Sequence, residues 1–286
     1  MKLYVGTAGW SYKDWEGTVY PREALADPLV FLVRYFNTIE INSSFYRPPS
    51  PRLTSRWAQV ALTRAGFRFT AKLYQGFTHE SPAAWKAAEI QQFLDGMAPL
   101  QEASVLGAVL AQFPWFFRAE PRSLEHLKRI AERFRGVALV LEVRHTSWIR
   151  DEMVQAITDL GYGFCNIDQP LARTSIRPGS RVTSPIGYFR MHGRNYNTWF
   201  DPKADRDSKY DYLYSPAEID QFALLIEEIR QRTREVYVIA NNHFAGKAAA
   251  NALELAALLA AGKVEVPGPL LATYPQLRSI AREEAS

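Results

Sequence analysis

One short segment, Thr38-Ile39-Glu40-Ile41-Asn42, carries the main information about the fold. Apolar and polar residues alternate along it, and a β-strand sends successive side chains to opposite faces. Ile39 and Ile41 therefore face one side of the strand, while Glu40 and Asn42 face the other. The segment predicts a strand with helices packed on its apolar face and with polar groups collected at the carboxyl end of its other face.

The same arrangement recurs along the chain. Short apolar runs that end in polar or charged residues occupy 3–7, 36–42, 67–72, 106–112, 138–144, 164–168, 188–192 and 236–242. Amphipathic stretches predict helices over 25–35, 51–63, 82–95, 123–134, 148–160, 216–232 and 247–261. Several begin with a Ser-Pro pair, in which serine caps the first amides and proline loses no hydrogen bond. Alternating strands and helices predict one (β/α)8 TIM barrel over 1–286, with a polar mouth.

Two connections depart from the regular alternation. Pro170, Pro178 and Pro185 break any helical period between the sixth and seventh strands, so we expect an irregular crossover there. The span 193–215 after the seventh strand is long and rich in aromatic residues. Loops of that length in a compact domain are usually functional or disordered, and the aromatic residues argue against disorder. We interpret this span as a lid over the mouth.

Composition narrows the class of protein. The apolar fraction is 47% and the charged fraction 22%, which is ordinary for a globular chain. No run approaches the roughly 18 apolar residues of a membrane span, so a cytoplasmic protein without a membrane partner is expected. A single cysteine, Cys165, excludes an internal disulfide, and we expect it on the helix-facing side of the sixth strand. The net charge of +4 tolerates an acidic ligand without requiring one.

Strand parity predicts which polar side chains meet inside the mouth. The inward-facing set is Glu40, Asn42, Lys72, Gln112, Glu142, Arg144, Asn166, Asp168, Arg190, His192 and Asn241. Because buried charges must be paired, these groups could form a purely structural network. A structural core is more simply built from Val, Ile and Leu, which favours a functional site. Our candidate catalytic residues are Glu40, Glu142, Asp168 and His192. Our candidate substrate-binding residues are Trp10, Asn42, Tyr46, Lys72, Gln112, Arg144, Trp148, Arg190, Asn241 and Trp199.

Three kinds of chemistry fit this set. A metal site would use Glu40, Glu142, Asp168, His192 and His243. These residues lack local ligand spacing, and the neighbouring cations would repel a metal ion, so no metal and no cofactor are expected. A glycosidase would use Glu40 and Glu142 as its acid and base. An anion site would use Lys72, Arg144 and Arg190 to bind a phosphate or carboxylate while aromatic rings stack on the ligand.

Several segments resemble the DUF72 family of YecE-like proteins. They are 6–15 (GTAGWSYKDW), 36–46 (FNTIEINSSFY), 112–114 (QFP), 142–148 (EVRHTSW), 190–194 (RMHGR) and 241–243 (NNH). The resemblance implies a TIM barrel and supplies no activity, because the family is of unknown function. Its similarity in shape to the endonuclease IV and xylose isomerase barrels suggests nucleic-acid or sugar ligands. This chain lacks the histidine-rich metal set of endonuclease IV.

The leading prediction is an enzyme of hydrolase or lyase type that acts on a phosphate-bearing or anionic sugar or nucleic-acid ligand. Lys72, Arg144 and Arg190 would neutralise the anion. Glu142 would act as the base, Glu40 as the acid and His192 as a proton shuttle. Asn42, Gln112 and Asn241 would orient the substrate. The alternatives are a metal-free glycoside hydrolase and a non-catalytic module that binds single-stranded nucleic acid.

Overall fold

The computed structural model describes residues 1–24, 26–201 and 203–282. Its strands are β1 (Lys2–Ala8), β2 (Thr38–Ile41), β3 (Arg68–Lys72), β4 (Leu106–Gln112), β5 (Leu139–Glu142), β6 (Gly163–Asp168), β7 (Ile186–Met191) and β8 (Glu235–Ala240). Each strand pairs in parallel with its neighbours in the sequence, and β8 pairs with β1 to close the barrel. The predicted (β/α)8 architecture is confirmed.

The α-helices lie between these strands and after the last one. They are α1 (Pro28–Leu32), α2 (Ser43–Tyr46), α3 (Pro51–Leu62), α4 (Gln75–Thr78), α5 (Ala87–Glu102), α6 (Pro121–Arg133), α7 (Asp151–Asp159), α8 (Tyr196–Trp199), α9 (Arg206–Lys209), α10 (Pro216–Arg230), α11 (Lys247–Leu259) and α12 (Gly268–Thr273). Short 3-10 helices include Pro82–Ala84 and Thr146–Ile149. Among the described residues, no helix is long and apolar enough to cross a membrane.

Three Ser-Pro pairs begin helices of different kinds. Ser50 caps α3 by accepting a hydrogen bond from the Leu53 amide, and Ser215 forms a capping box with Glu218 at the start of α10. The pair at Ser81 begins only the 3-10 turn, so α5 starts five residues later than predicted. The predicted helix over 25–35 is observed as α1, and its first residue, Leu25, lies outside the described residues.

The barrel interior is closed below the mouth by apolar and aromatic side chains. Tyr4 and Tyr237 stack with their ring centroids 4.7 Å apart, and Leu110, Val140 and Tyr188 belong to the same buried cluster. Ile39 and Ile41 point the other way and pack under the helices. The polar mouth therefore rests on a packed core rather than on a channel.

The sixth strand faces the opposite way from our prediction. Cys165 and Ile167 of β6 belong to the interior cluster, so Asn166 and Asp168 point toward the helices. The error arises because apolar residues occupy both parities of this strand. The outward amide of Asn166 is satisfied by the backbone of Arg181, with hydrogen bonds of 2.8 and 2.9 Å. Asn166 thus fastens the crossover 169–185, which contains no helix, as predicted.

Candidate functional site

A buried guanidinium forms the floor of the mouth. Arg190 of β7 donates from Nη2 to Glu40 Oε1 at 2.7 Å and from Nη1 to Glu142 Oε2 at 2.5 Å. Both carboxylates are fully buried, and the Tyr188 hydroxyl donates to Glu40 Oε2 at 2.8 Å. Burial would lower the pKa of Arg190, but the two carboxylates outweigh it and raise the pKa. Arg190 is therefore a permanent cation held between two anions.

Glu142 at the end of β5 is the most heavily contacted anion of this floor. Its Oε1 accepts from Arg144 Nη2 at 2.9 Å and lies 3.3 Å from His192 Nε2. Burial opposes the charged form of Glu142, but the neighbouring guanidiniums outweigh burial and hold its pKa well below the usual range. Glu142 is therefore an anion at neutral pH and cannot serve as a general acid there.

His192 is neutral in this environment. Burial, with the charge of Arg190 added, lowers the pKa of His192 to about 3. Asn241 Nδ2 lies 3.0 Å from His192 Nδ1. When that amide donates, the ring proton lies on Nε2 and is directed at Glu142. His192 therefore supports Glu142 through a hydrogen bond, and the charge balance of Glu142 comes from the arginines.

Lys72 at the end of β3 is the one surplus charge that we identify among the described residues of this cluster. Glu40 and Glu142 are balanced by Arg190 and Arg144, and Lys72 Nζ has no hydrogen-bond or ion-pair partner there. The ammonium lies 4.0 Å from the centroid of the Phe45 ring, and the residue is only 9% exposed. Burial first, and then the charge of Arg190, lowers the pKa of Lys72 to about 8.

Two cavities open above this floor. The first, of about 480 Å³, is lined by Gly9, Trp10, Ser11, Tyr12, Asn42, Ser43, Phe45, Tyr46, Lys72, His79, Gln112, Tyr210, Asn241 and His243. The second, of about 610 Å³, is lined by Gln112, Phe113, Pro114, Trp115, Arg144, Gln169, Pro170, Ala172, Thr174, Ser175, Trp199, Phe200, Lys209 and Tyr210. Gln112 and Tyr210 line both, so the two cavities adjoin. Lys72 is the cation that lines the first cavity, and Arg144, two residues after β5, and Lys209 of α9 line the second.

Described residues of the segment 193–215 border the mouth, because Trp199 lines the second cavity and Tyr210 lines both, and the segment includes the short helices α8 and α9. The Trp199 ring lies 5.6 Å from the Arg144 guanidinium and 6.1 Å from the His192 ring. Tyr210 contacts His243, with their ring centroids 5.1 Å apart. Gly193 begins the segment at φ +89°, where an added Cβ would lie 2.9 Å from Tyr212 Cβ. A side chain at position 193 would therefore strain the start of the lid.

Asp168 lies outside the mouth, contrary to our prediction. Its carboxylate accepts hydrogen bonds from Arg194 Nε and Nη2 at 3.0 and 2.7 Å and from the Tyr214 hydroxyl at 2.6 Å. Burial raises the pKa of Asp168, and these hydrogen bonds oppose that shift. Asp168 anchors both ends of the lid to β6. Sequence reasoning missed Arg194, because it lies three residues beyond the end of β7, where strand parity no longer applies.

Trp148 also lies away from the mouth. Its side chain is fully buried, its Nε1 donates to the Phe117 carbonyl at 2.8 Å, and its ring stacks on Phe117. The predicted residues that line the first cavity are Trp10, Asn42, Tyr46, Lys72, Gln112 and Asn241, and those that line the second are Gln112, Arg144 and Trp199. Glu40, Glu142, Arg190 and His192 converge beneath the cavities and line neither.

Exposed aromatic residues surround the mouth. Tyr46 follows β2, Trp115 and Phe116 follow β4, and Tyr196 and Phe200 lie in the lid, each between 52% and 65% exposed. Within the described part of the chain, these five are the exposed aromatic residues, and all lie on the connections that follow the carboxyl ends of strands. Exposed rings gathered at one end of a barrel are suited to stacking on a ligand.

The described residues offer little to a metal ion. They contain no group of three or more His, Cys, Asp and Glu side chains arranged to hold one. The polar groups that face the cavities are instead carboxamides, hydroxyls, imidazoles and the three cations Lys72, Arg144 and Lys209. Such groups can bind an anion, hydrogen-bond hydroxyls and transfer protons.

Comparison with known proteins covers nearly the whole chain. The model of the family described as "Protein of unknown function DUF72" matches residues 4–275. The UPF0759 protein YunF of Bacillus subtilis is 27% identical over 271 residues, which cover 90% of this chain and 94% of YunF. A DUF72 family protein from Thermotoga maritima is 33% identical with a TM-score of 0.79 and covers 91% of this chain and 100% of its own. One from Enterococcus faecalis is 27% identical, also with a TM-score of 0.79, and covers 90% and 95%.

Proposed function

The chain belongs to the DUF72 family, and from this premise we propose that it is an enzyme that acts on a sugar phosphate, either free or within a nucleic-acid strand. The observation that carries the proposal is the pair of adjoining cavities with Arg144 in one and Lys72 in the other. One cavity binds the anion and the other holds the reacting part of the ligand.

Arg144 is the anion-binding group. Its Nη2 donates a hydrogen bond to Glu142 and so fixes the guanidinium. The Arg144 side chain is 15% exposed and borders the second cavity. Trp199 covers one face of it. A guanidinium held in this way can form charge-assisted hydrogen bonds to a phosphate with little loss of conformational entropy. Arg190 cannot share this role, because both of its terminal nitrogens are bound to the buried carboxylates.

Lys72 is the acid–base group of the proposal, in place of the predicted Glu40 and Glu142. With a pKa of about 8, the Lys72 amine can gain or lose a proton near neutral pH, as efficient general acid–base catalysis requires. Asn42, Gln112 and Asn241 line the same cavity and supply amide groups for ligand hydroxyls. The Glu40–Arg190–Glu142 floor holds Arg144 in place and keeps a positive charge beneath Lys72.

The glycoside hydrolase alternative is less well supported. Such an enzyme needs two carboxyl groups that flank the scissile bond. Here both carboxylates are ion-paired to one arginine below the cavities. The exposed aromatic rim does favour a second candidate, a module that binds single-stranded nucleic acid through base stacking without turnover.

A binding experiment tests the proposal. We expect ribose 5-phosphate to bind at least tenfold more tightly than ribose, and Arg144→Gln to lose about tenfold or more in affinity for ribose 5-phosphate only. That loss corresponds to one charge-assisted hydrogen bond of about 1.5–3 kcal/mol. Arg150→Gln is the matched control, because Arg150 pairs with Glu152 on the surface. Titration calorimetry gives the constants.

Two results would contradict it. Equal affinity for ribose and ribose 5-phosphate would refute the anion site. So would an Arg144→Gln variant that binds ribose 5-phosphate as tightly as Arg150→Gln does. Tight, salt-dependent binding of an oligothymidylate without any binding of ribose 5-phosphate would support the nucleic-acid module instead.

A further inference from the structure

We propose that Lys72 is a covalent catalytic residue whose amine captures the carbonyl group of an open-chain sugar phosphate or similar phosphorylated aldehyde. The inference rests on the proposed function and deepens it, because it names the reacting group of the substrate and the atom that attacks it. In the reaction the Lys72 ammonium and the carbonyl compound give a protonated imine and one water molecule.

The Lys72 ammonium is isolated from the carboxylates of the cluster. A buried lysine is normally paired with a carboxylate, since an uncompensated buried charge is unfavourable. Two buried carboxylates lie in the same cluster, yet both are bound to arginine and neither lies within ion-pair distance of Lys72 Nζ. Lys72 instead lies over the face of Phe45, in a cavity that can admit a ligand. Its position leaves the amine available to a small molecule.

Charged groups of both signs surround the Lys72 amine. Arg190 on β7 and Arg144, two residues after β5, oppose the ammonium, Glu40 on β2 and Glu142 on β5 favour it, and His79 borders the same cavity. With a pKa of about 8, roughly a tenth of Lys72 is neutral at pH 7. A lysine with an ordinary pKa of 10.5 is about 300-fold less deprotonated at that pH. A desolvated amine beside another cation is the usual setting of an imine-forming lysine.

Imine formation at Lys72 balances in atoms and in charge within the cavity. The amine nitrogen attacks the carbonyl carbon, and the carbonyl oxygen takes up protons and leaves as water. The resulting iminium has the same charge as the ammonium that it replaces. The floor of the site, with its two carboxylates and two guanidiniums, therefore needs no rearrangement. No metal, oxidant or reductant is required for this step. An anionic group in the Arg144 cavity would hold the carbonyl compound in place.

Reductive trapping tests the inference. The full-length protein is incubated with ribose 5-phosphate and cyanoborohydride, digested, and mapped by mass spectrometry. We expect the Lys72 adduct to form at least tenfold faster than adducts at the exposed Lys13 and Lys86, with a rate that rises as the pH approaches 8. Lys72→Arg keeps the charge and should abolish that adduct, whereas Lys128→Met, at an exposed lysine of α6 outside both cavities, should retain it.

The outcome separates this inference from the proposed function. Modification of Lys72 no faster than that of Lys13 and Lys86 would overturn covalent capture. If wild type and Lys72→Arg still bind ribose 5-phosphate through Arg144 in that case, the anion site stands without the imine. Equal trapping of ribose and ribose 5-phosphate at Lys72 would retain the nucleophile and overturn the phosphorylated substrate. The wild-type map does not depend on whether any variant folds.

Discussion

Replacing Lys72 by methionine should stabilise the protein at neutral pH. Methionine keeps the unbranched apolar stem and removes the surplus charge from the buried cluster. The pKa of Lys72 lies at about 8 instead of 10.5, mainly because of burial. A difference of about 2.5 pKa units corresponds to roughly 3 kcal/mol of unfavourable free energy in the native state. Loss of the contact with Phe45 removes about 1 kcal/mol of this gain, so we expect a net stabilisation of about 2 kcal/mol.

The stabilisation by Lys72→Met should depend on pH. Below pH 8 the native and unfolded states both carry the Lys72 proton, and the native state bears the full cost of the buried charge. Between pH 8 and 10.5 the native state releases the proton first, so the unfolded state binds more protons and wild-type stability rises with pH. The cost of the wild-type charge should thus fall to about 1 kcal/mol at pH 10, and the advantage of Lys72→Met should nearly vanish.

Urea denaturation at pH 7 and pH 10 measures both differences. A gain of 2 kcal/mol also raises the melting temperature by roughly 5 °C in a chain of this size. Lys13→Met, at an exposed lysine, is the control and should change stability little at either pH. A Lys72→Met variant no more stable than wild type at pH 7 would refute the reasoning, because the ammonium would then be compensated. A gain of equal size at pH 10 would show that packing, not charge, is responsible.

Two further predictions follow from the same geometry. Glu142→Gln should lower the free energy of unfolding by about 3–5 kcal/mol in urea denaturation, because it leaves Arg144 and the Nη1 group of Arg190 without an anionic partner. A loss of stability no larger than that of the surface control Glu152→Gln would refute this. Asp168→Asn should increase hydrogen exchange across 193–215 while the strands stay protected, because Asp168 anchors Arg194 and Tyr214. Unchanged exchange, as expected for the exposed Asp220→Asn, would mean that the lid is held by other contacts.

Strand parity predicted the floor of the site because four strands alternate cleanly. Glu40, Lys72, Glu142 and Arg190 follow apolar residues of the opposite parity, and each points into the barrel. The rule failed on β6, where Phe164 and Cys165 are adjacent and apolar, so either face could be internal. The deciding interactions come from residues 15 to 46 positions further along the chain, through Arg181, Arg194 and Tyr214. A local pattern contains no information about such partners.

The chemical roles were harder to predict than the positions. In the sequence alone Lys72, Arg144 and Arg190 are equivalent cations, whereas the hydrogen bonds of the structure distinguish them. Arg190 is bound to the two buried carboxylates, and Arg144 binds Glu142 and also borders the second cavity. Lys72 has no ion-pair partner among the described residues and contacts the Phe45 ring. Helices α8 and α9 were missed, because four residues are too few to show a helical period.

The balanced pairing of Glu40 and Glu142 with Arg190 and Arg144 has a consequence for how such proteins diverge. These side chains form ion pairs with one another without a ligand, while the five aromatic residues at the rim lie on the connections that follow strands and contribute exposed surface. Substitutions at Tyr46, Trp115 or Phe200 can therefore change which molecules enter without endangering the barrel. Descendants of one ancestor could acquire different substrates through changes at the entrance and still keep the same charged floor.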